Sequence, residues 1–497
     1  MELLLIILYG LALLFIFSYS IVQINLVINY IKSKKNEKAK LDILDITDIN
    51  KIPHVTIQLP IYNELYVTNR LIDAVASLNY PTEKLEVQIL DDSTDETVEL
   101  ITEKVKEWEQ KGINIIHFRR ENRDGYKAGA LAEGLKSCKG EFVAIFDADF
   151  VPDKNFLIHT IPHFKDSSVG VVQTKWEHLN KDYSLLTKLQ AFGLDAHFSI
   201  EQRGRNYGGH FINFNGTAGI WRKKCIVDAG GWQADTLTED LDLSYRAQLK
   251  KWKFIYLENV GSPSELPAAM NALKTQQYRW TKGAAECTKK LLRNVLKSEH
   301  LTFKTKVHAI FHLMNSSVFL TIIFTALASM PILFIKNNTS EYNHLFQYAA
   351  VFLFSLVFLA IFYFVSSVGN KKIRLVDILL FMFYFPLFLS VSMGLSLHNA
   401  IAVIEGYIGK KSAFIRTPKF NIITKTDKWE GNKYLVSNIS LLTIFEALLC
   451  IYFLVGIFYA FKFHDFGLLP FHIMLAFGFG YVTYSSVYHS KISVKKI

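Results

Sequence analysis

The sequence predicts an α/β domain with a mostly parallel sheet, joined to an α-helical transmembrane bundle. Strand-like and helix-like segments alternate between about residues 45 and 300. Long stretches without a formal charge lie on both sides of that region, and each exceeds the roughly 20 residues that cross a bilayer. The chain has 497 residues, which is enough for both parts.

The uncharged stretches place the membrane part. Residues 3–31 are too long for a signal-peptide core and have no small-residue cleavage site, so residues 1–32 are interpreted as a transmembrane anchor. A C-terminal membrane region is predicted over 305–490, with spans at about 307–335, 345–369, 435–461 and 466–489. One charge, Glu446, lies within a predicted span, where we expect a hydrogen bond between helices.

Basic residues predict the orientation of these spans, because lysine and arginine concentrate on the cytoplasmic side. They follow the first span, follow the third and end the chain: Lys32, Lys34, Lys35, Lys38, Lys40, Lys371, Lys372, Arg374, Lys491, Lys495 and Lys496. The loop 405–433 is basic as well, so the uncharged segment 375–404 has cytoplasmic signals at both ends. We therefore interpret 375–404 as interfacial or re-entrant and expect five crossings, with six as the alternative.

Charge and cysteine content exclude two classes of function. The net charge is +10, but the basic residues lie largely beside membrane segments. Membrane lipid is therefore the expected partner, and we expect no binding of nucleic acid. The four cysteines have no paired spacing, which argues against a zinc site or a disulfide scaffold.

Two predicted strands end in acidic clusters. Strand patterns occur at 54–59, 86–90, 114–118 and 142–146, and a helix pattern at 128–135. The second strand ends in Asp91-Asp92, after which Ser93 or Thr94 can cap the next helix. The fourth ends in the motif Asp147-Ala148-Asp149. Ligands of a parallel sheet bind at these carboxyl ends, so both clusters are expected at one site.

Carboxylates at a ligand site repel phosphate unless a divalent cation lies between them. Mg²⁺ and Mn²⁺ prefer carboxylate and phosphate oxygens together. Asp147 and Asp149 are two residues apart and project to the same side. Alone, this short and common motif is more often a solvated acidic turn. The wider set favours a function, because Thr238-Glu239-Asp240 and the segment 276–280 (QQYRW) follow in order and no glycine-rich triphosphate loop is present.

These motifs resemble family 2 of the inverting glycosyltransferases, which contains cellulose, hyaluronan and chitin synthases. The resemblance covers about residues 50–290 and is closest to cellulose synthase-like mannan and glucan synthases. The segments that carry it are 58–64 (QLPIYNE), 125–131 (GYKAGAL), 214–219 (FNGTAG), 239–243 (EDLDL) and the sequence Gln276-x-x-Arg279-Trp280.

The resemblance implies a GT-A nucleotide-sugar fold over 45–300 and assigns roles to its residues. Asp240 would be the catalytic base, and Asp149 with Asp147 would hold Mg²⁺ or Mn²⁺. Donor contacts would come from Asp91, Asp92, Asp147, Lys127 and Arg279, and acceptor contacts from Gln276, Trp280 and Glu239. Lys127 can equally cap the helix that follows it. Asp195 and His197 lie on a helix pattern and are expected to pair structurally.

The loop segment 414–419 (FIRTPK) resembles the Phe-x-Val-Thr-x-Lys gating loop of cellulose synthases, with Arg416 in place of valine. That departure leaves the gating role open.

The expected activity is transfer of a hexose from UDP-glucose or GDP-mannose to a growing β-glycan, processive and coupled to export. The alternatives are a non-processive enzyme that makes a glycolipid and a transporter with a regulatory nucleotide-binding domain. We expect a plasma- or inner-membrane protein whose catalytic domain and C-terminus are cytoplasmic. Its expected partners are the donor, a glycan or lipid acceptor and an accessory export subunit.

Overall fold

A computed structural model of the chain describes residues 1–36, 42–369, 371–430, 432–435 and 439–494. The basic residues Lys38, Lys40, Lys495 and Lys496 lie outside the described residues. Within the described part, seven strands form one sheet: β1 (Val55–Ile61), β2 (Leu85–Asp91), β3 (Ile115–Arg119), β4 (Phe142–Ile145), β5 (Val169–His178), β6 (Gly219–Arg222) and β7 (Lys253–Ser264).

The sheet has the strand order β3-β2-β1-β4-β6-β5-β7. The first four strands pair in parallel, β6 is antiparallel to both of its neighbours, and β5 pairs in parallel with β7. The prediction of a mostly parallel sheet is confirmed, and the four predicted strands match β1 to β4 within two residues at each end. Because β1, β2 and β4 run the same way, their carboxyl ends meet at one edge, which brings together the acidic clusters of β2 and β4.

Helices cover both faces of the sheet and continue into the apolar part of the chain. They are α1 (Glu2–Lys35), α2 (Thr68–Ala76), α3 (Thr97–Gln110), α4 (Tyr126–Ser137), α5 (Phe156–Thr160), α6 (Leu185–Ala196), α7 (Gln202–Tyr207), α8 (Lys223–Asp228), α9 (Glu239–Leu249), α10 (Met270–Lys297), α11 (Phe303–Leu313), α12 (Val318–Asn338), α13 (Asn343–Ala349), α14 (Phe354–Val368), α15 (Leu375–Gly394), α16 (Ser396–Ile408), α17 (Leu441–Lys462) and α18 (Leu469–Val494). A π-helical turn, His197–Glu201, joins α6 to α7.

Side chains that point alternately to the two faces of the sheet form two hydrophobic cores, one on each face. Val55, Ile57 and Leu59 of β1 are buried against α2 and α3. On the other face, Val143 of β4 packs in a cluster that includes Leu131 of α4. Successive strand side chains point to opposite faces, and both faces are covered, so the strands are apolar throughout much of their length.

The predicted cap of α3 is wrong. The helix begins at Thr97 and its N-cap is Glu96. Ser93 instead accepts a hydrogen bond from the Asn63 backbone N–H (2.9 Å), and Thr94 bonds to the Asn63 side chain. These two hydroxyl residues therefore tie the end of β2 to the end of β1, which positions the acidic edge.

Five helical stretches among the described residues are long and apolar enough to cross a bilayer: Glu2–Lys35, Phe303–Asn338, Asn343–Val368, Leu375–Gly394 and Leu441–Lys462. Four of them overlap predicted spans. The fifth, Leu375–Gly394, falls within the segment that we expected to be interfacial or re-entrant. The predicted span at 466–489 forms α18, which is absent from these five because His472 and several serine and threonine residues lower its hydropathy. That the segment 466–489 crosses the bilayer and the segment 375–404 does not stays a prediction.

The apolar helices pack on the α/β domain through α10 and α16. A Cβ on Gly406 of α16 would lie 2.6 Å from the Lys282 carbonyl oxygen of α10, so the two helices approach closely there. Lys274 of α10 donates to Glu446 of α17 (2.6 Å), and both side chains are buried. The predicted hydrogen bond of Glu446 between helices is thereby confirmed.

Candidate active site

A cavity of about 180 Å³ opens at the carboxyl ends of β1, β2 and β4. Nine of the ten predicted site residues line it: Asp92, Lys127, Asp147, Asp149, Glu239, Asp240, Gln276, Arg279 and Trp280. The tenth, Asp91, does not. The structure thus brings together motifs that are up to 188 positions apart in the chain, although the role of each residue stays a prediction.

The two aspartates at the end of β2 have different surroundings. Asp91 points into the domain, where its carboxylate accepts from the Ser93 backbone N–H (2.8 Å) and contacts His117 (2.9 Å). Asp92 faces the cavity and forms a bidentate ion pair with Arg120, at 2.9 and 2.5 Å. Asp91 is therefore placed to support the strand end, whereas Asp92 can reach a ligand.

Lys127 extends from the first turn of α4 into the cavity. Its ammonium group donates to Asp147 (2.5 Å) and to the Gly216 carbonyl oxygen (2.8 Å). Burial lowers the pKa of Lys127, but the carboxylates of Asp147 and Glu239 outweigh it and leave the pKa raised. Lys127 thus carries a positive charge beside the carboxylate of Asp147, and it does not cap its own helix.

Glu239 and Asp240 form the first turn of α9, where the helix dipole favours negative charge. Burial, reinforced by the neighbouring Glu239, raises the pKa of Asp240 to about 7. Burial also raises the pKa of Glu239. A Cβ on Gly216 would lie 3.1 Å from the Asp240 carboxylate, so the glycine leaves that oxygen open to the cavity.

Asp149 lies deeper and is only 8% exposed. Its carboxylate accepts from Lys419 (2.7 Å) and from the Glu265 backbone N–H (3.3 Å). Arg70 donates to the Asp149 carbonyl oxygen (3.3 Å) and faces the Glu265 carboxylate at 3.7 Å. The predicted metal ligand is therefore held within a buried charge network.

The QQYRW segment lies on α10, where the i, i+3, i+4 spacing of Gln276, Arg279 and Trp280 turns all three to one face. Arg279 donates to the Thr417 hydroxyl (2.8 Å), and its guanidinium lies 4.5 Å from the centre of the Phe414 ring. Trp280 lies 6.5 Å from Trp176, ring centre to ring centre. The helix presents a cation and an aromatic ring side by side.

Residues 410–421, which we call the strap, cross this cavity. Arg416 forms an ion pair with Glu64 (3.1 Å) and stacks on Tyr434 at 3.9 Å. Burial raises the pKa of Glu64 to about 8, although Arg416 opposes this. The position that departs from the gating-loop pattern thus holds a charged contact between the strap and the end of β1.

Asp195 and His197 do not pair with each other. Asp195 contacts His178 (3.2 Å), and His197 contacts Glu201 (2.8 Å). Each residue thus forms a side-chain pair, but with a partner that the sequence pattern did not indicate.

Sequence reasoning missed several charged residues in or beside the cavity: Glu64, Arg123, Glu265 and Lys419 line it, and Arg120 pairs with Asp92. Glu64 stands in the quoted segment 58–64 and could have been found there. Lys419 ends the quoted segment 414–419, which gives no indication of its partner, and Glu265 carries no motif signal that sets it apart from other charged residues.

The carboxylates suit a divalent cation that shares its ligands with a substrate. Among the described residues, no three His, Cys, Asp or Glu side chains are arranged as a complete metal site. Mg²⁺ and Mn²⁺ need no such cluster, since one or two carboxylates plus substrate phosphates complete their shell. Of the described cavity-lining side chains, seven are carboxylates and five are basic, so a diphosphate needs added positive charge there. Asp147 and Asp149 fit this role.

A second cavity of about 340 Å³ adjoins the first and shares Leu194, Gln276 and Trp280 with it. It lies between the α/β domain and the apolar helices. Aromatic and hydrogen-bonding side chains line it, including Tyr19, Glu201, Gln277, Asn315, Phe319, Phe362, Tyr363, Phe388 and Asn399. Trp280 thus forms part of the wall of both cavities.

Comparison with known proteins agrees with this geometry. The family model described as "Glycosyltransferase like family 2" matches residues 53–283, which include the whole sheet and the quoted motifs from Asp91 to Trp280. Residues 53–283 are a family 2 glycosyltransferase domain. The fold of this glycosyltransferase domain is the GT-A-like mixed sheet that the resemblance implied.

Two similar curated proteins are plant enzymes. The chain is 45% identical over 267 residues to glucomannan 4-beta-mannosyltransferase 1 of Oryza sativa subsp. japonica, covering 52% of this chain and 51% of the relative. It is 39% identical over 307 residues to glucomannan 4-beta-mannosyltransferase 1 of Cyamopsis tetragonoloba, covering 60% and 58%. The chain spans about half the length of the curated relatives it matches.

A solved structure shares the fold. Mannosyltransferase PcManGT from Pyrobaculum calidifontis, in complex with GDP-Man and Mn²⁺, superimposes with a TM-score of 0.52 at 18% identity. The match covers 81% of this chain and all of the other.

Proposed function

We propose that this protein is a membrane-bound inverting glycosyltransferase that adds hexose units from a nucleotide-sugar to a β-glycan and passes the product into the membrane part. The observation that carries the proposal is the pair of adjoining cavities, which meet at Trp280. One is lined by the acidic residues to which the resemblance assigns the transfer, and the other leads towards the apolar helices.

In the transfer, Asp240 removes the proton from the acceptor hydroxyl as that oxygen attacks the anomeric carbon of the donor. A new C–O bond forms while the bond from the anomeric carbon to the diphosphate breaks, and the nucleoside diphosphate leaves. A single displacement inverts the configuration, so an α-linked donor gives a β-linked product. The raised pKa of Asp240 suits a base, because a carboxyl that titrates near neutral pH binds a proton more readily than an ordinary one.

Asp147 and Asp149 would hold a divalent cation. When bound, Mg²⁺ or Mn²⁺ neutralises charge on the diphosphate as it leaves. Lys127 and Arg279 line the same cavity and would face the phosphates, whereas Asp92, which also lines it, would contact the nucleoside. Asp149 is buried and the other four residues are half-buried, so the restricted access of water strengthens these interactions.

The donor that we propose is GDP-mannose, with UDP-glucose as the second candidate. Two observations support GDP-mannose: the curated relatives are named as mannosyltransferases, and PcManGT was solved with GDP-Man and Mn²⁺.

Export of a polymer is supported by the composition of the second cavity. A growing glycan is too polar to cross lipid unaided, so it needs a protein-lined path. Aromatic rings offer flat apolar faces to the C–H groups of sugars, and amides and carboxylates bond to their hydroxyl groups. Phe362, Tyr363 and Phe388 supply the first kind of surface, and Asn315 and Asn399 the second. The basic residues beside the spans support a cytoplasmic glycosyltransferase domain.

The test is to incubate the purified, detergent-solubilised protein with a panel of nucleotide-sugars plus Mn²⁺ or Mg²⁺ and to size the product. We expect a β-linked polymer from GDP-mannose or UDP-glucose. Trp280→Ala should shorten the product while donor hydrolysis stays measurable, and Trp280→Phe, which keeps a ring, should restore length. Addition of one sugar to a lipid would favour the glycolipid alternative, and no transfer from any donor would favour a transporter.

A further inference from the structure

Each of the two carboxylates that would bind the metal accepts a hydrogen bond from a lysine. Asp147 accepts from Lys127 at 2.5 Å, and Asp149 accepts from Lys419 at 2.7 Å. Lys127 belongs to the glycosyltransferase domain itself, but Lys419 reaches Asp149 from the strap, 270 positions further along the chain. Movement of the strap can therefore break the contact between Lys419 and Asp149.

We propose that Lys419 is a placeholder cation that occupies the metal position at Asp149 in the donor-free enzyme, so that a divalent cation binds tightly only together with the nucleotide. This inference rests on the proposed function of the same cavity. It concerns the order in which metal and donor enter, and it assigns to Lys419 a role as a positioning residue.

The contact of Lys419 is built into the fold. Lys419 is only 8% exposed, and its ammonium group also donates to the Glu265 carbonyl oxygen. The next residue of the strap, Phe420, donates its backbone N–H to the Glu265 carboxylate (2.8 Å). A buried ammonium with two protein acceptors is a defined site and differs from a mobile surface lysine.

Both ends of the strap are fastened. Lys282 of α10 is fully buried and donates to the Lys410 carbonyl oxygen and the Ser412 hydroxyl, both at 2.6 Å. At the other end, Arg70 donates to the Asn421 side chain (2.5 Å). Lys419 is therefore held at Asp149 by the whole strap.

This arrangement sets a competition at Asp149. A divalent cation without phosphate must displace an ammonium from Asp149, and any lysine that stays nearby repels it. A cation that arrives with a nucleoside diphosphate brings negative charge, which offers the displaced ammonium a new partner. Free metal should consequently bind weakly, and metal with nucleotide should bind well.

The experiment measures Mn²⁺ binding to the full-length protein without any sugar transfer, from the free Mn²⁺ signal in electron paramagnetic resonance. Lys419→Met keeps the length of the side chain and removes its charge. We expect it to lower the Kd for Mn²⁺ alone by at least about tenfold, while the gain in Mn²⁺ affinity on adding GDP or UDP becomes smaller than in the wild type. Lys419→Arg keeps the charge and should behave like the wild type.

Lys425→Met is the matched control, since Lys425 is an exposed lysine of the same loop. It should leave the Kd for Mn²⁺ unchanged. Equal Mn²⁺ affinity for the wild type and Lys419→Met would overturn the proposal, and so would an equal gain in Lys425→Met, which would indicate a general effect of charge.

A measurement on the wild type covers the case in which Lys419→Met does not fold. The rate at which Lys419 is acetylated, read by mass spectrometry against Lys425, should rise when Mn²⁺ alone is raised to saturation. Saturation by Mn²⁺ with Lys419 still protected would overturn the proposal. If no donor supports sugar transfer but Mn²⁺ binds as expected, only the proposed function is refuted. If sugar is transferred but Mn²⁺ binding does not change as expected, only this inference is refuted.

Discussion

Replacement of Asp240 by asparagine separates binding from chemistry at this site. The side chain keeps its size at the start of α9, and the backbone contacts of the helix remain, but the group can no longer accept a proton. Loss of a general base costs about 10²–10⁴-fold in rate, which corresponds to about 2.7–5.4 kcal/mol in the activation free energy. We therefore expect turnover to fall by that factor while the Kd for the nucleoside diphosphate changes little.

The pH dependence gives a second readout with a defined sign. Burial and Glu239 raise the pKa of Asp240 to about 7, so the carboxylate that acts as base is lost as the pH falls through that value. Wild-type turnover should then decrease about tenfold per pH unit below that pKa. Asp240→Asn should lack this acidic limb, since it has no group to titrate there.

The same substitution should not destabilise the protein at neutral pH. The pKa of Asp240 is near 3.8 in the unfolded state and is raised in the folded state, so this group lowers the stability of the fold as the pH rises from the first value to the second. Asparagine does not ionise and carries no such penalty. The melting temperature of Asp240→Asn should thus equal or exceed that of the wild type at pH 7.5.

Turnover is measured as release of nucleoside diphosphate and as sugar incorporation, with Asp235→Asn as the control. Asp235 is an exposed acid that pairs with Lys290 and does not line the cavity. It should retain full activity. Near-normal turnover in Asp240→Asn, or an acidic limb that survives the substitution, would refute the assignment and point to Glu239.

Three further outcomes are expected. Asp149→Ala should weaken donor binding, and excess EDTA should abolish transfer; full activity in EDTA would contradict the role of metal and carboxylate. Lys274→Met leaves Glu446 buried without its partner, which should cost about 3–5 kcal/mol of stability and lower the melting temperature in detergent, whereas removal of both charges should recover most of it. Single cysteines at Lys372 and Lys411 should both react with an impermeant reagent only from the cytoplasmic side, and labelling of either from outside would show that the segment between them crosses.

The parts of the fold that depend on local pattern could be predicted from the sequence. Strands β1 to β4 alternate or run apolar because both faces of the sheet are covered, and each is short and bounded by turn residues. Their acidic ends were predicted to meet because parallel strands share an edge, and Asp92 and Asp147 do line one cavity. Strands β5 to β7 were not predicted, since the antiparallel insertion of β6 between β4 and β5 has no local signature.

Contacts between distant segments could not be predicted. The pairing of Lys419 with Asp149 joins residues 270 positions apart, and the contact of Arg416 with Glu64 joins residues 352 positions apart. These residues stand in quoted motif segments, but nothing in a motif indicates which of its charged residues pairs with a charge elsewhere in the chain. Membrane segments were ambiguous for a different reason: α15 and α18 are both apolar, and hydropathy alone does not say which packs against protein and which faces lipid.

The helix α10 connects the parts of the molecule on which the proposed function depends. It has 28 residues, which corresponds to about 42 Å at 1.5 Å per residue. Near its start Lys274 pairs with Glu446 of α17, in its middle Trp280 faces both cavities, and Lys282 holds the beginning of the strap. A helix is rigid over such a length, so a shift of the strap and a shift of the apolar helices both act on the position of Trp280. Entry of the donor and movement of the glycan would then be coupled through α10. A processive enzyme requires such coupling, whereas an enzyme that transfers a single sugar does not.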